Sequence, residues 1–140
     1  MKDSSRDMEY FESIVNVTKG ADFSLMTGSD TLLLASGLLG GTGAIAASTN
    51  IVPEIICALW DAFEKHDWSL GNELQPRLLE VVSIIRKYGF LAGWTAAFSL
   101  AKVCSPQVAF PNIPLSGSVL QQFAAELTEV GIILQGGKDG

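Results

Sequence analysis

Lys2 stands where a strand would end, directly before Asp3-Ser4-Ser5. A lysine at the carboxyl end of a barrel strand points into the mouth of the barrel. Desolvation there favours the neutral amine, which attacks a carbonyl carbon and forms an imine. By position alone, Lys2 reads as an exposed residue near the start of the chain. The sequence holds one histidine and two cysteines, too few for most metal sites or for a cysteine–histidine nucleophile. His66, between Lys65 and Asp67 on a polar link, reads as surface. Gly40-Gly41-Thr42-Gly43 precedes a strand and opens no helix, the wrong context for a nucleotide phosphate, so it reads as a turn needing positive φ. Asp61, Glu64, Glu80, Glu126 and Glu129 fall on helices among polar neighbours and read as solvated faces. No metal and no cofactor is expected.

The elements that must position Lys2 are organised around residues 23–50. Phe23–Thr27 is a short apolar run ending at Gly28-Ser29-Asp30, and a short helix over 31–39 follows. A glycine turn then leads into a second apolar run, Gly43–Ala47, which ends in Ser48-Thr49-Asn50. Runs of nearly continuous apolar character fit parallel strands covered on both faces. Polar residues gather after each strand, where α/β folds place their ligands. Upstream, a helix with Met8, Phe11, Ile14, Val15 and Thr18 on one face takes Asp7 or Ser5 as its cap and closes at Gly20. The strand before it is reduced to one or two residues at Lys2, so the chain is expected to start in the middle of a βα series.

Downstream, Pro53 opens a helix burying Ile55, Ile56, Leu59, Trp60 and Phe63. A longer helix carries Leu70, Leu74, Leu78, Val81, Ile85 and Tyr88 in step, with Pro76 inside it and Gly89 at its end. Thr95–Cys104 reads as a further helix, residues 105–116 as an irregular, proline-rich connection, and Ser118 with Gln121 as a capping box for a last helix. Both cysteines, Cys57 and Cys104, are expected on apolar helical faces as buried free thiols in a reducing, cytoplasmic setting.

Composition narrows the partners. The net charge of -6 and the absence of a Lys/Arg cluster argue against a nucleic-acid or anionic-membrane surface. Mean hydropathy is high at +0.32, yet the most apolar stretch, Leu32 to Ala47, is too short to span a bilayer and is cut by four glycines.

Three segments occur in the order and spacing of one family: Lys2-Asp3-Ser4-Ser5, Leu25-Met26-Thr27-Gly28-Ser29-Asp30, and Leu39-Gly40-Gly41-Thr42-Gly43-Ala44-Ile45 followed by Thr49-Asn50. The chain resembles the C-terminal half of the dihydrodipicolinate synthase/N-acetylneuraminate lyase family, the pyruvate-type class I aldolases, to about Leu134. The resemblance implies an α/β fold, the C-terminal half of a (β/α)8 TIM barrel (strands 6–8) with additional C-terminal helices. It places a partial barrel at residues 1–94 and a helical extension at 95–134, and the polar, glycine-rich residues 135–140 read as a disordered tail. It implies Lys2 as the Schiff-base lysine, with Gly28 and Ile45 against the bound keto acid. The partner is then a small 2-keto acid such as pyruvate, and the family is homo-oligomeric.

Two positions depart from the dihydrodipicolinate synthase pattern. Gly93-Trp94-Thr95-Ala96-Ala97-Phe98 replaces an Asn-Pro-x-Pro-x-Lys run, and Ala109-Phe110-Pro111 lacks an arginine before Leu-Pro. They leave open a 2-keto-3-deoxy sugar acid or 4-hydroxy-2-oxoglutarate aldolase. A whole barrel takes about 250 residues, against 140 here. The family's Gly-Thr-Thr carboxylate site and proton-shuttling tyrosine lie in the half not represented, and Tyr10 and Tyr88 match neither. The alternative is therefore a non-catalytic half-barrel that needs its missing N-terminal half.

Overall fold

The computed structural model describes residues 1–132; the tail expected at 135–140 lies outside them. Two compact units share the chain. The first comprises Met1–Thr49 and Pro53–Leu79, the second Asn50–Val52 and the residues from Glu80 onward.

The first unit is built on a parallel β-layer. β1 (Lys2–Asp3) pairs with β2 (Met26–Thr27) in parallel, Lys2 opposite Met26 and Asp3 opposite Thr27. Thr27 forms a parallel bridge to Ala44 on its other side. The three segments therefore lie side by side, as the βα alternation requires. The extended pairing is shorter than the apolar runs: Phe23–Thr27 contributes only Met26–Thr27, and Gly43–Ala47 only the bridge at Ala44, since Ala47–Asn50 coils into a 3₁₀ turn.

α1 (Met8–Val17) joins β1 to β2, capped by Asp7, whose carboxylate accepts from Tyr10 N at 2.9 Å. The spacing of Phe11 and Ile14 turns both onto Leu25, with Met8, Val15 and Leu39 around them. α2 (Leu33–Leu38) ends at Gly40, whose φ of 101° only glycine adopts freely. α3 (Pro53–Glu64) buries Ile56, Leu59 and Ala62, and its Phe63 ring lies against Gly37 of α2. After a link in which His66 takes positive φ, α4 (Trp68–Lys87) runs unbroken through Pro76.

In the second unit, the last turns of α4 bury Val81, Val82 and Ile85. α5 (Phe90–Leu100) follows Gly89 and buries Trp94, Ala96 and Ala97. α6 (Gly117–Glu129) buries Phe123 and Leu127.

Three local expectations change. α5 starts and ends earlier than Thr95–Cys104, because Gly89 at positive φ turns the chain directly into it and Lys102 at positive φ stops it. Cys104 thus lies beyond the helix and is exposed, and Cys57 is exposed on α3, so neither thiol is buried. The last helix begins at Gly117 after Ser116, with no side-chain cap hydrogen bond, and the Ser118 capping box does not form.

Candidate active site

The β-layer has two unlike faces. Side chains alternate along extended chain, so Asp3, Thr27 and Leu25 share one face, and all three are buried. Lys2 and Met26 project from the other, and alternation puts Gly28 and Ile45 on that same side. There Lys2 is exposed and Ile45 is 51% exposed. The helices cover the first face and leave the second open.

Lys2 and Gly28 meet on the open face. A Cβ added to Gly28 would stand 2.6 Å from Lys2 Cε and would clash with the Ser4 hydroxyl, so the lysine chain lies against the bare glycine. Ile45 is held beside them through the backbone, its N–H donating to Thr27 O at 2.9 Å. The three residues singled out from the sequence thus share one face, with Lys2 and Gly28 in contact.

The loops that follow the strands are built from buried polar groups. The Asp3 carboxylate accepts from Ser5 N and Ser5 Oγ, each at 3.0 Å, and turns the chain from β1 toward α1. Thr27 Oγ1 accepts from Ser29 N at 3.1 Å. Asp30, 3% exposed, accepts through Oδ1 from Ser48 N at 2.9 Å and also from the Ser48 hydroxyl. Sequence reasoning did not single out this last pair; the signal was an acid two residues after Gly28 and a serine three after Ile45, at the same end of two parallel strands.

Among the described residues no group of three or more His, Cys, Asp or Glu side chains is arranged to hold a metal ion. An open cavity of about 400 Å³ lies beside the Ala44 bridge, walled by Leu33, Ile56, Cys57 and Trp60. No helix among the described residues is long and apolar enough to cross a membrane.

A model of the dihydrodipicolinate synthetase family matches residues 1–130. The chain belongs to this family. An uncharacterized DapA-like lyase of Thermofilum pendens is 32% identical over 130 residues, covering 88% of this chain and 42% of the relative. Dihydrodipicolinate synthase of Bacteroides thetaiotaomicron superposes with a TM-score of 0.85 at 28% identity, over 91% of this chain and 45% of that one. YagE, an Escherichia coli K12 prophage protein of the dihydrodipicolinic acid synthase family solved in complex with pyruvate, gives 0.79 at 26% identity, over 94% and 46%. The chain spans less than half the length of these relatives. Its fold is accordingly the C-terminal half of the dihydrodipicolinate synthase barrel, strands 6–8 with the additional helices.

Proposed function

We propose that this chain carries the imine-forming part of a pyruvate-type class I aldolase site. In this reading the Lys2 amine adds to the keto carbon of a 2-keto acid, water leaves, and Gly28 and Ile45 shape the wall against which the acid rests. The observation that carries the reading is the contact of Lys2 with Gly28 on the open face of three parallel segments. A glycine there leaves room for both the lysine chain and a small acid. The pyruvate bound in YagE supports pyruvate as the first ligand to test. For the overall reaction the alternatives are 4-hydroxy-tetrahydrodipicolinate synthesis and aldol cleavage or formation of a 2-keto-3-deoxy sugar acid or of 4-hydroxy-2-oxoglutarate. Two unpaired thiols fit a reducing, cytoplasmic setting.

Turnover needs more than the amine. General acid–base help is worth about 10²- to 10⁴-fold, and neither tyrosine offers it at Lys2: Tyr10 projects from α1, and the Tyr88 hydroxyl is engaged by Glu126. We infer that the remaining barrel strands complete the site and cover the Ala44 edge and its cavity. The chain alone then forms the imine weakly and turns over near background.

Borohydride reduction in the presence of pyruvate, followed by peptide mapping, tests the reading. A label on Lys2 that is lost in Lys2→Ala is the expected result. A label only on the Met1 α-amine, or none, would make the chain a non-catalytic half-barrel.

A further inference from the structure

We propose that Asp30 is a positioning residue of the keto-acid site, fixing the spacing between Gly28 and Ile45 by tying together the two loops that carry them. The inference rests on the reading of Lys2, Gly28 and Ile45 given above.

The Leu25–Thr27 and Thr42–Ile45 segments share a short ladder that opens where Thr42 N donates to Leu25 O at 2.8 Å. Thr27 N donates to Gly43 O at 3.0 Å and Ile45 N to Thr27 O at 2.9 Å. Beyond these bonds the two chains turn away, β2 into the 3₁₀ turn Asp30–Leu32 and the other into the turn Ala47–Asn50. At that point Asp30 spans the gap: one carboxylate oxygen takes both the backbone N–H and the hydroxyl of Ser48. Ser48 is fully buried and Asp30 nearly so. A carboxylate held in that environment is retained only by such partners.

The tie is anchored from behind. Gln75 on α4 donates to the Asp30 carbonyl at 3.5 Å and accepts from Leu34 N at 3.3 Å, holding the turn after Gly28 to the helix. Asp30 itself is buried and turned toward Ser48, so its influence on a bound acid passes through Gly28, two residues before it, and Ile45, three residues before Ser48. A displacement of about 1 Å in such a wall is enough to weaken a site substantially.

The test compares the parent chain with Asp30→Ala and Asp30→Asn, using pyruvate and borohydride and mapping label at Lys2. Asparagine keeps the oxygen that accepts from Ser48, and alanine removes it. Asp30→Ala is expected to raise the half-saturating pyruvate concentration about tenfold, equivalent to losing one good contact. Its limiting labelling rate should stay within a factor of about two, and Asp30→Asn should return half-saturation to within about threefold of the parent. Hydrogen exchange at the Ser48 and Ile45 amides should quicken in Asp30→Ala and not in Asp30→Asn. Equal half-saturation in all three chains, or unchanged exchange in Asp30→Ala, overturns the proposal while leaving the lysine reading intact. Absence of label at Lys2 in the parent overturns the lysine reading and the positioning role with it. Should Asp30→Ala not fold, Ser48→Ala, which removes one of the two bonds, replaces it, and unchanged half-saturation there overturns the proposal.

Discussion

Lys2 and Gly28 touch across the β1–β2 pair, the lysine stem lying where any side chain at position 28 would stand. The φ of Gly28 is not in the left-handed region, so the backbone tolerates alanine there. What alanine meets is the Lys2 stem and the Ser4 hydroxyl, which can move aside, and the Ser4 Cβ at 3.0 Å, which can yield only slightly. Gly28→Ala is therefore expected to cost only about 1 kcal/mol of stability, the low end for overpacking. It should lower pyruvate-dependent labelling of Lys2 by about tenfold or more, since the displaced amine loses its approach to the acid. Thermal melting alongside peptide mapping checks both halves, and a large fall in melting temperature would mean that the contact is structural.

The open face carries its own consequence for association. Ile45 is half exposed there, and the Ala44 N–H and C=O have no partner among the described residues. An unpaired edge beside an apolar cavity is a template for another strand. The isolated chain should self-associate or melt broadly. Sedimentation and calorimetry check this; a monodisperse monomer with a sharp transition is the contrary result.

The helices α4 and α6 meet through a charged cluster. Glu126 accepts from Lys87 Nζ at 2.7 Å and from the Tyr88 hydroxyl at 2.8 Å. These bonds, Lys87 first, hold the Glu126 carboxyl below its usual 4.5, and the bond to Glu126 holds Lys87 above its usual 10.5. A lowered carboxylate contributes stability above the unfolded value and loses it as the pH falls through the folded one; a raised lysine contributes below its unfolded value and loses it as the pH rises through the folded one. Relative to Glu126→Gln, the parent should thus be more stable between about pH 5 and 10, with the gap closing on both sides. Lys87 is exposed and Glu126 half-buried, so the gap should also shrink with salt. Melting curves across pH at two ionic strengths decide it.

A different glycine controls the packing of α5 on α4. A Cβ at Gly93 would be driven into the carbonyl oxygen of Ile85, a backbone atom that cannot swing away. Gly93→Ala should cost about 3 kcal/mol, seen as a lower denaturation midpoint with little change in slope. A neutral effect would show that the two helices can separate freely.

Both thiols should react with an aromatic disulfide reagent in the native chain at the rate of an exposed cysteine, without denaturant. Protection of either would contradict its exposure.

The helical cores were legible because spacing dictates them. Phe11 and Ile14, Ile56 and Leu59, and Leu74, Leu78, Val81 and Ile85 follow the 3.6-residue period, and all are buried. Leu70, on the same periodic face, is exposed. Parallel strands followed from the unbroken apolar runs, but their length did not, since apolar character records burial and not hydrogen bonding. The Cys57 and Cys104 expectations failed because a neighbour's apolarity does not fix which side of a helix faces inward, nor where the helix ends. Glu126 read as a solvated acid; its partners Lys87 and Tyr88 lie 39 and 38 residues away, a separation that no local pattern exposes. Asp30 and Ser48 escaped for the same reason, and only the fold brings them into register.

Exposure of Lys2 bears on how long any imine at that position would survive. Enzymes that work through such intermediates shield them, because bulk water returns the imine to amine and ketone. On a face open to solvent, formation and hydrolysis run side by side. The trapped fraction would then follow borohydride concentration as strongly as pyruvate concentration. Covering the face would lengthen the life of the adduct before it changed the affinity for the acid.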